Sequence, residues 1–409
     1  MTVKCLLAAA MLGGVAGCLA DGDAPAALVR YEGRIGEQTQ GWQFLEAKAG
    51  TKVYVPFEGV YESKGGRMQS PVIALDKPAG KPAYYSLAFK ARTRGHCYWW
   101  VDLFDATGQW IPDINSAVYP DAADDNYSQM IYVQGHAAGI QLAFSSASGV
   151  AVSDIALRRV SRETAAAWCD DVYAQLPPLA FTAPADAMQR LPGTTAALKD
   201  GRPWKVVMLG DSIMNDSFNS VFQALVKRDF PRSNLDFVCS VRGSTGCWYY
   251  QNPTNFAAYV TRHQPDLLMI GGISNLNEDK DDIPNGMKKV GRVIDLARAI
   301  GCEVVLLSPP HSVDWRPFDA ENPGADLPVA TWSEATLDPG GARRLLWSPY
   351  ERQARLSGIA FWNITAPTAD YVARSRKPHG YFNRDTIHNN DRGKQIIGRV
   401  MREYFLTAK

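Results

Sequence analysis

Three residues in this chain of 409 have the types that acyl-transfer chemistry requires: Ser212, Asp385 and His388. Ser212 closes the run Val206-Val207-Met208-Leu209-Gly210-Asp211-Ser212. An apolar run ending in Gly-Asp-Ser reads as a buried strand that turns toward a helix, here from about Ser217. A hydroxyl on such a turn lies near free backbone N–H groups, which favour developing negative charge. Gly-Asp-Ser alone fits a plain polar turn equally well. The far end of the chain supplies the partners. Asn383-Arg384-Asp385-Thr386-Ile387-His388-Asn389 precedes the last helical stretch. A serine nucleophile needs a basic nitrogen facing it and a carboxylate on the other ring nitrogen to fix the tautomer. Asp385 stands three residues before His388, so one loop can present both. Among six histidines, His388 has the best setting for a base.

The elements that must position these residues alternate strand and helix. Apolar runs occur at 206–209, 237–241, 267–270, 304–307 and 359–362, without polar alternation, as in buried parallel strands. Helical stretches separate them, for example Met287 to Ile300 with Gly301 as its stop. Five βα units imply a doubly wound parallel sheet with helices on both faces, and ligands in such sheets sit beyond the carboxyl ends of the strands.

Residues 28–160 read differently. Tyr85, Leu87, Phe89 and Ala91 alternate with Ser86, Ala88 and Lys90, and Trp99, Val101 and Leu103 alternate with Tyr98, Trp100 and Asp102. That period of two marks half-buried strands, and many short ones imply a β-sandwich. Trp99 and Trp100 must then face opposite ways. Residues 161–203, with a short helical stretch near Thr164 to Gln175 and Pro177-Pro178, read as a linker packed partly on its neighbours. The α/β portion fills 204–409.

Residues 1–20 read as a signal peptide: Lys4 is the positive region, and Cys5 to Ala16 is too short to span a bilayer as a helix. Val15-Ala16-Gly17-Cys18 is similar to a bacterial lipobox, which would make Cys18 the lipidated mature N-terminus. Ordinary cleavage near Ala20 is the alternative. Either way the mature chain is expected outside the cytoplasm, with a lipid anchor as its only membrane contact. Cys97, Cys169, Cys239, Cys247 and Cys302 then remain. Their odd number leaves at least one thiol without an intrachain partner, while Cys239 and Cys247 are close enough in sequence to bridge. No CxxC or HExxH spacing points to a metal. A net charge of +1 gives no case for nucleic acid as a partner.

Together these features resemble the SGNH, or GDSL-type, hydrolases over about Lys205 to Phe405. Gly210-Asp211-Ser212-Ile213 matches the first family block, with Ile in the usual Leu position. Arg242-Gly243-Ser244-Thr245-Gly246 matches the second, and Asp385-Thr386-Ile387-His388 the last. The resemblance implies a flavodoxin-like sheet with no cofactor and no metal. It also implies Ser212 as nucleophile, His388 as general base, Asp385 as its orienter, and an oxyanion hole from the N–H groups of Ser212 and Gly243. The third block departs from the family's Gly-x-Asn. Here it is Gly271-Gly272-Ile273-Ser274-Asn275, so the third donor is Asn275 or, at strict spacing, Ser274. The N-terminal portion resembles, in layout alone, jelly-roll modules attached to carbohydrate-active enzymes.

Export, a β-sandwich and many aromatics (11 Trp, 17 Tyr) point to an acetylated polysaccharide or oligosaccharide as substrate. Trp248-Tyr249-Tyr250 is expected to line the cleft, with Trp315, Arg316, Trp332 and Trp347 at its rim. The alternatives are a lipase or thioesterase acting on longer acyl chains, and a catalytically weak protein that only binds glycan.

Overall fold

The computed structural model describes residues 29–34, 43–45, 55–57, 60–62, 67–93, 97–118, 125–145, 150–271, 283–310, 347–377, 381–384 and 387–409. Cys18, Ser274, Asn275 and Asp385 lie outside these residues, as do Trp315, Arg316 and Trp332.

The chain opens with strands β1 (Val29–Arg34), β2 (Gln43–Leu45), β3 (Val55–Phe57), β4 (Val60–Glu62), β5 (Arg67–Gln69) and β6 (Ile73–Ala74). Longer strands follow: β7 (Ala83–Thr93), β8 (Cys97–Asp105), β9 (Trp110–Val118), β10 (Asp125–Val133), β11 (Ala137–Ser145) and β12 (Val150–Val160). They form two antiparallel sheets, β10-β7-β12-β4-β3 with β1 on β12, and β2-β5-β11-β8-β9 with β6 on β11. The period of two explains the core. Tyr85, Leu87, Phe89 and Ala91 of β7 meet Cys97, Trp99, Val101 and Leu103 of β8 in one buried cluster. Tyr98 and Trp100 face away from it and are half-buried.

Next come α1 (Arg162–Ala174), α2 (Pro192–Asp200), β13 (Pro203–Gly210), α3 (Ser212–Phe218), α4 (Phe222–Asp229) and β14 (Asn234–Val241). They are followed by α5 (Cys247–Tyr250), α6 (Pro253–Tyr259), β15 (Leu267–Ile270), α7 (Ile283–Ala299) and β16 (Glu303–Leu307). The last elements are α8 (Trp347–Ser357), β17 (Ala360–Trp362), α9 (Thr365–Ser375) and α10 (Asp391–Leu406). The five strands form one parallel sheet in the order β14-β13-β15-β16-β17. Both its faces are apolar. Val206, Met208, Phe237 and Met269 join a cluster with α1, α4 and α10, whereas Val207, Leu209, Val238 and Leu268 join another with α5, α7 and α8. That two-sided burial is why the apolar runs lack alternation.

Cys239 and Cys247 are separated by the same sheet. Cys239 belongs to the first cluster and Cys247 to the second, so neither reaches the other, and all five described cysteines are buried.

The antiparallel module braces the parallel sheet at an edge. β14 is an edge strand, so every second N–H of its backbone lacks a sheet partner. Gln134 Oε1 accepts a hydrogen bond from the Cys239 N–H at 2.9 Å, and Tyr132 Oη accepts from the Phe237 N–H at 3.4 Å. Met130 and Tyr132 are buried in the same cluster as Phe218 and Phe237, and Tyr132 packs edge-on against Phe218 at 5.5 Å. Gln134 is fully buried, so losing its acceptor would orphan a buried donor. Gln134→Leu is expected to lower stability by about 1–3 kcal/mol. The shift in the urea unfolding midpoint at unchanged slope measures it.

Candidate active site

The site lies beyond the carboxyl ends of β13 and β14. β13 ends at Gly210, and the chain turns at once into α3. Asp211 caps this helix: its fully buried carboxylate accepts from the Ile213 N–H at 2.9 Å. The turn is tight because Gly210 has no side chain. A Cβ there would stand 1.9 Å from the Gly271 carbonyl oxygen and 2.7 Å from Met214 Cβ. The Gly210 carbonyl accepts from the Tyr250 hydroxyl at 2.7 Å. Burial, then the neighbouring Tyr259 and Asp211, push that hydroxyl well above its usual range, so it stays a donor. Ser212 is thereby the first residue of α3 and is half-buried.

His388 arrives from the opposite end of the chain. Asn383 and Asn389 pair across an isolated antiparallel bridge, and the Arg384 N–H donates to the His388 carbonyl at 2.9 Å. Asn390 then caps α10 by accepting from the N–H groups of Arg392 and Gly393. The loop so closed places His388 Nε2 2.8 Å from Ser212 Oγ. These residues are 176 apart in sequence. With the ring proton on Nδ1, Nε2 accepts from the serine hydroxyl, which is the arrangement a general base needs.

Gly243 follows β14 at the position matching Ser212 after β13, because Gly210 and Val241 are register partners. A Cβ at Gly243 would meet nothing within 4 Å, so its surroundings are open. The neighbouring turn is held by Thr245 Oγ1, which donates to the Gly243 carbonyl at 3.0 Å, and by Arg242 Nη1, which donates to Thr245 Oγ1 at 3.0 Å.

A buried charge cluster joins the two halves of the site. Asp216 lies four residues after Ser212 on α3 and is fully buried. Its Oδ1 accepts from Arg384 Nη1 at 2.9 Å, and its Oδ2 accepts from the Asn389 N–H at 2.8 Å. Arg384 Nη1 also donates to the Asn389 carbonyl at 3.0 Å. Lys394 Nζ, on α10 and buried, stands 3.9 Å from Asp216 Oδ1. The helix carrying Ser212 is thus tied to both ends of the loop carrying His388. In the sequence these three residues are marked only by the i+4 spacing of Asp216 from Ser212 and the position of Arg384 beside Asp385.

The five-stranded parallel sheet, its interleaved helices, and a serine and a histidine meeting beyond the strand ends are the arrangement that the sequence resemblance leads one to expect. No known family profile and no curated protein matches the sequence. Solved structures do. A two-domain esterase active on acetylated mannans aligns at 18% identity over 54% of this chain, with a TM-score of 0.40. The match spans about half of that esterase, 53% of its length. An acetyl-xylooligosaccharide esterase from Geobacillus aligns at 13% identity over 50% of this chain and 96% of its own, with a TM-score of 0.39. An acetyl xylan esterase aligns at 15% identity over 48% of this chain and 97% of its own, with a TM-score of 0.36.

One aromatic of the α/β layer differs from its expected place. Tyr250 is fully buried and braces Gly210 rather than lining a cleft, because α5 turns Cys247 and Tyr250 down onto the sheet. Trp248 and Tyr249 remain half-buried, and the Arg242 guanidinium lies 4.6 Å over the Tyr249 ring.

Proposed function

We propose that this chain is an exported serine esterase that removes short acyl groups, O-acetyl foremost, from a polysaccharide or oligosaccharide. The reading rests on one observation above all, the 2.8 Å approach of His388 Nε2 to Ser212 Oγ at the start of α3. Such a contact between residues from opposite ends of the domain is what nucleophilic acyl transfer needs.

In this reading Ser212 Oγ attacks the ester carbonyl carbon while His388 Nε2 takes its proton. The carbonyl oxygen becomes an oxyanion facing the N–H groups of Ser212 and Gly243, with Asn275 or Ser274 as third donor. His388 returns the proton to the departing sugar oxygen, and the C–O bond to it breaks. Water then attacks the acyl-Ser212 ester, His388 takes the water's proton, and the acid leaves as Ser212 is reprotonated. Asp385 holds the imidazole tautomer throughout. Export through residues 1–20, with Cys18 as the lipidated residue, would place the enzyme at the cell envelope, where polysaccharide is available.

Acetylated xylan, mannan and pectin offered alongside acetate-to-palmitate esters test this. Acetate release from at least one glycan is expected, with small-ester turnover falling as the acyl chain lengthens. A preference for long chains with no acetate released from any glycan would refute the substrate assignment.

A further inference from the structure

The outward face of the β8–β9 ribbon carries aromatics that the module core does not use. Trp99 and Val101 point inward and are buried, whereas Tyr98 and Trp100 point outward and are half-buried. Their rings stack, with centroids 5.8 Å apart and planes inclined by 30°. Farther along, Trp110 is 52% exposed, and its Nε1 donates to Asp102 Oδ1 at 3.3 Å, which fixes the indole over the same face. Trp110 is the register partner of Phe104 on β8. At the rise of a β-strand, the row from Tyr98 to this pair is roughly 20 Å long.

The row begins at the candidate active site. The Tyr98 hydroxyl donates to the Arg384 carbonyl at 3.4 Å. Arg384 belongs to the loop that holds His388 beside Ser212, and β9 packs alongside α3, the helix that Ser212 begins. Flat apolar rings beside a hydrogen-bonding group, here the half-buried Gln141 that is the cross-strand partner of the buried Asp102, match the surface of a neutral sugar. A pyranose ring presents C–H groups on its faces and hydroxyls at its edge. Rigid aromatics bind such faces at little cost in side-chain entropy.

We propose that this face of the β module is the glycan-binding wall of the esterase. Tyr98 and Trp100 form the stacking platform for sugars next to the acylated one, and Trp110 extends it. The occupant is a neutral oligosaccharide chain running outward from Ser212, and the proposal rests on the esterase reading above.

The test compares wild type, Trp100→Ala and Trp100→Phe. Each is titrated calorimetrically with xylopentaose, mannopentaose and cellopentaose, and each is assayed on a small acetyl ester. At least one pentaose is expected to bind wild type, with about tenfold loss in Trp100→Ala and most of the affinity kept in Trp100→Phe. Turnover of the small ester should be the same in all three, which also shows that the variants fold. Equal pentaose affinity in wild type and Trp100→Ala, or no binding of any pentaose to wild type, would overturn the proposal. Absence of small-ester turnover in wild type would instead strike the esterase reading itself.

Discussion

Ser212→Ala is expected to lower kcat on any accepted ester by about 10⁴–10⁶-fold, and His388→Ala by a similar factor. The reason is the 2.8 Å Ser212–His388 contact, which in the proposed mechanism makes nucleophile and base one unit. Groups acting as a unit lose their effect together, so the double variant should be no slower than either single one. Stability should change little in Ser212→Ala. The described hydrogen bond of this side chain is the one to His388, and the helix cap is provided by Asp211. Equal urea midpoints for wild type and Ser212→Ala, beside a large kinetic difference, would separate chemistry from folding. A Ser212→Ala protein retaining more than a few per cent of wild-type kcat would remove the serine from the mechanism.

Asp216→Ala is expected to destabilise the fold by about 3–5 kcal/mol. The carboxylate is fully buried, and so is Lys394, while the Arg384 side chain is 8% exposed. Removing the anion breaks the 2.9 Å ion pair of the buried Arg384, leaves the buried Lys394 with Asp391 at 4.0 Å, and orphans the Asn389 N–H. Asp216→Asn should cost nearly as much, because an amide restores shape but not charge. Activity should fall as well. The loop that positions His388 is tied to α3 through Asp216, and a displacement of about 1 Å at a reacting group costs about 10²-fold. Urea unfolding measures the first effect. kcat on a small ester, taken where the variant is still folded, measures the second. Unchanged kcat in a destabilised Asp216→Asn would confine the cluster to a structural role.

The sequence made much of this architecture legible, for physical reasons. Continuous apolar runs can be buried on two faces only inside a covered parallel sheet, so five runs became β13 to β17. Alternation in Tyr85–Ala91 and Trp99–Leu103 is set by the strand's geometry, and it placed Trp99 inside and Trp100 outside. Ser212 and His388 carried enough chemical signature to be paired across 176 positions. The charge cluster behind them carried far less, only a spacing and a neighbour. Asp216 and Lys394 look like the solvent face of two helices, and only the packing of α3 against α10 buries them together. Gln134 was equally silent, since its role depends on which strand of a distant sheet is left at the edge. Tyr250 was misplaced for a related reason. Its neighbours in sequence are aromatic, but the short helix α5 directs only some of them outward.

Labelling by a fluorophosphonate probe, with the modified residue mapped by mass spectrometry, tests whether Ser212 is a histidine-activated nucleophile. A histidine-activated serine attacks the phosphorus, displaces fluoride and becomes covalently phosphonylated. One stoichiometric adduct is expected on Ser212 in the wild-type protein, absent in Ser212→Ala and strongly slowed in His388→Ala. An unlabelled wild-type protein, or an adduct that persists on another residue in Ser212→Ala, would contradict that role.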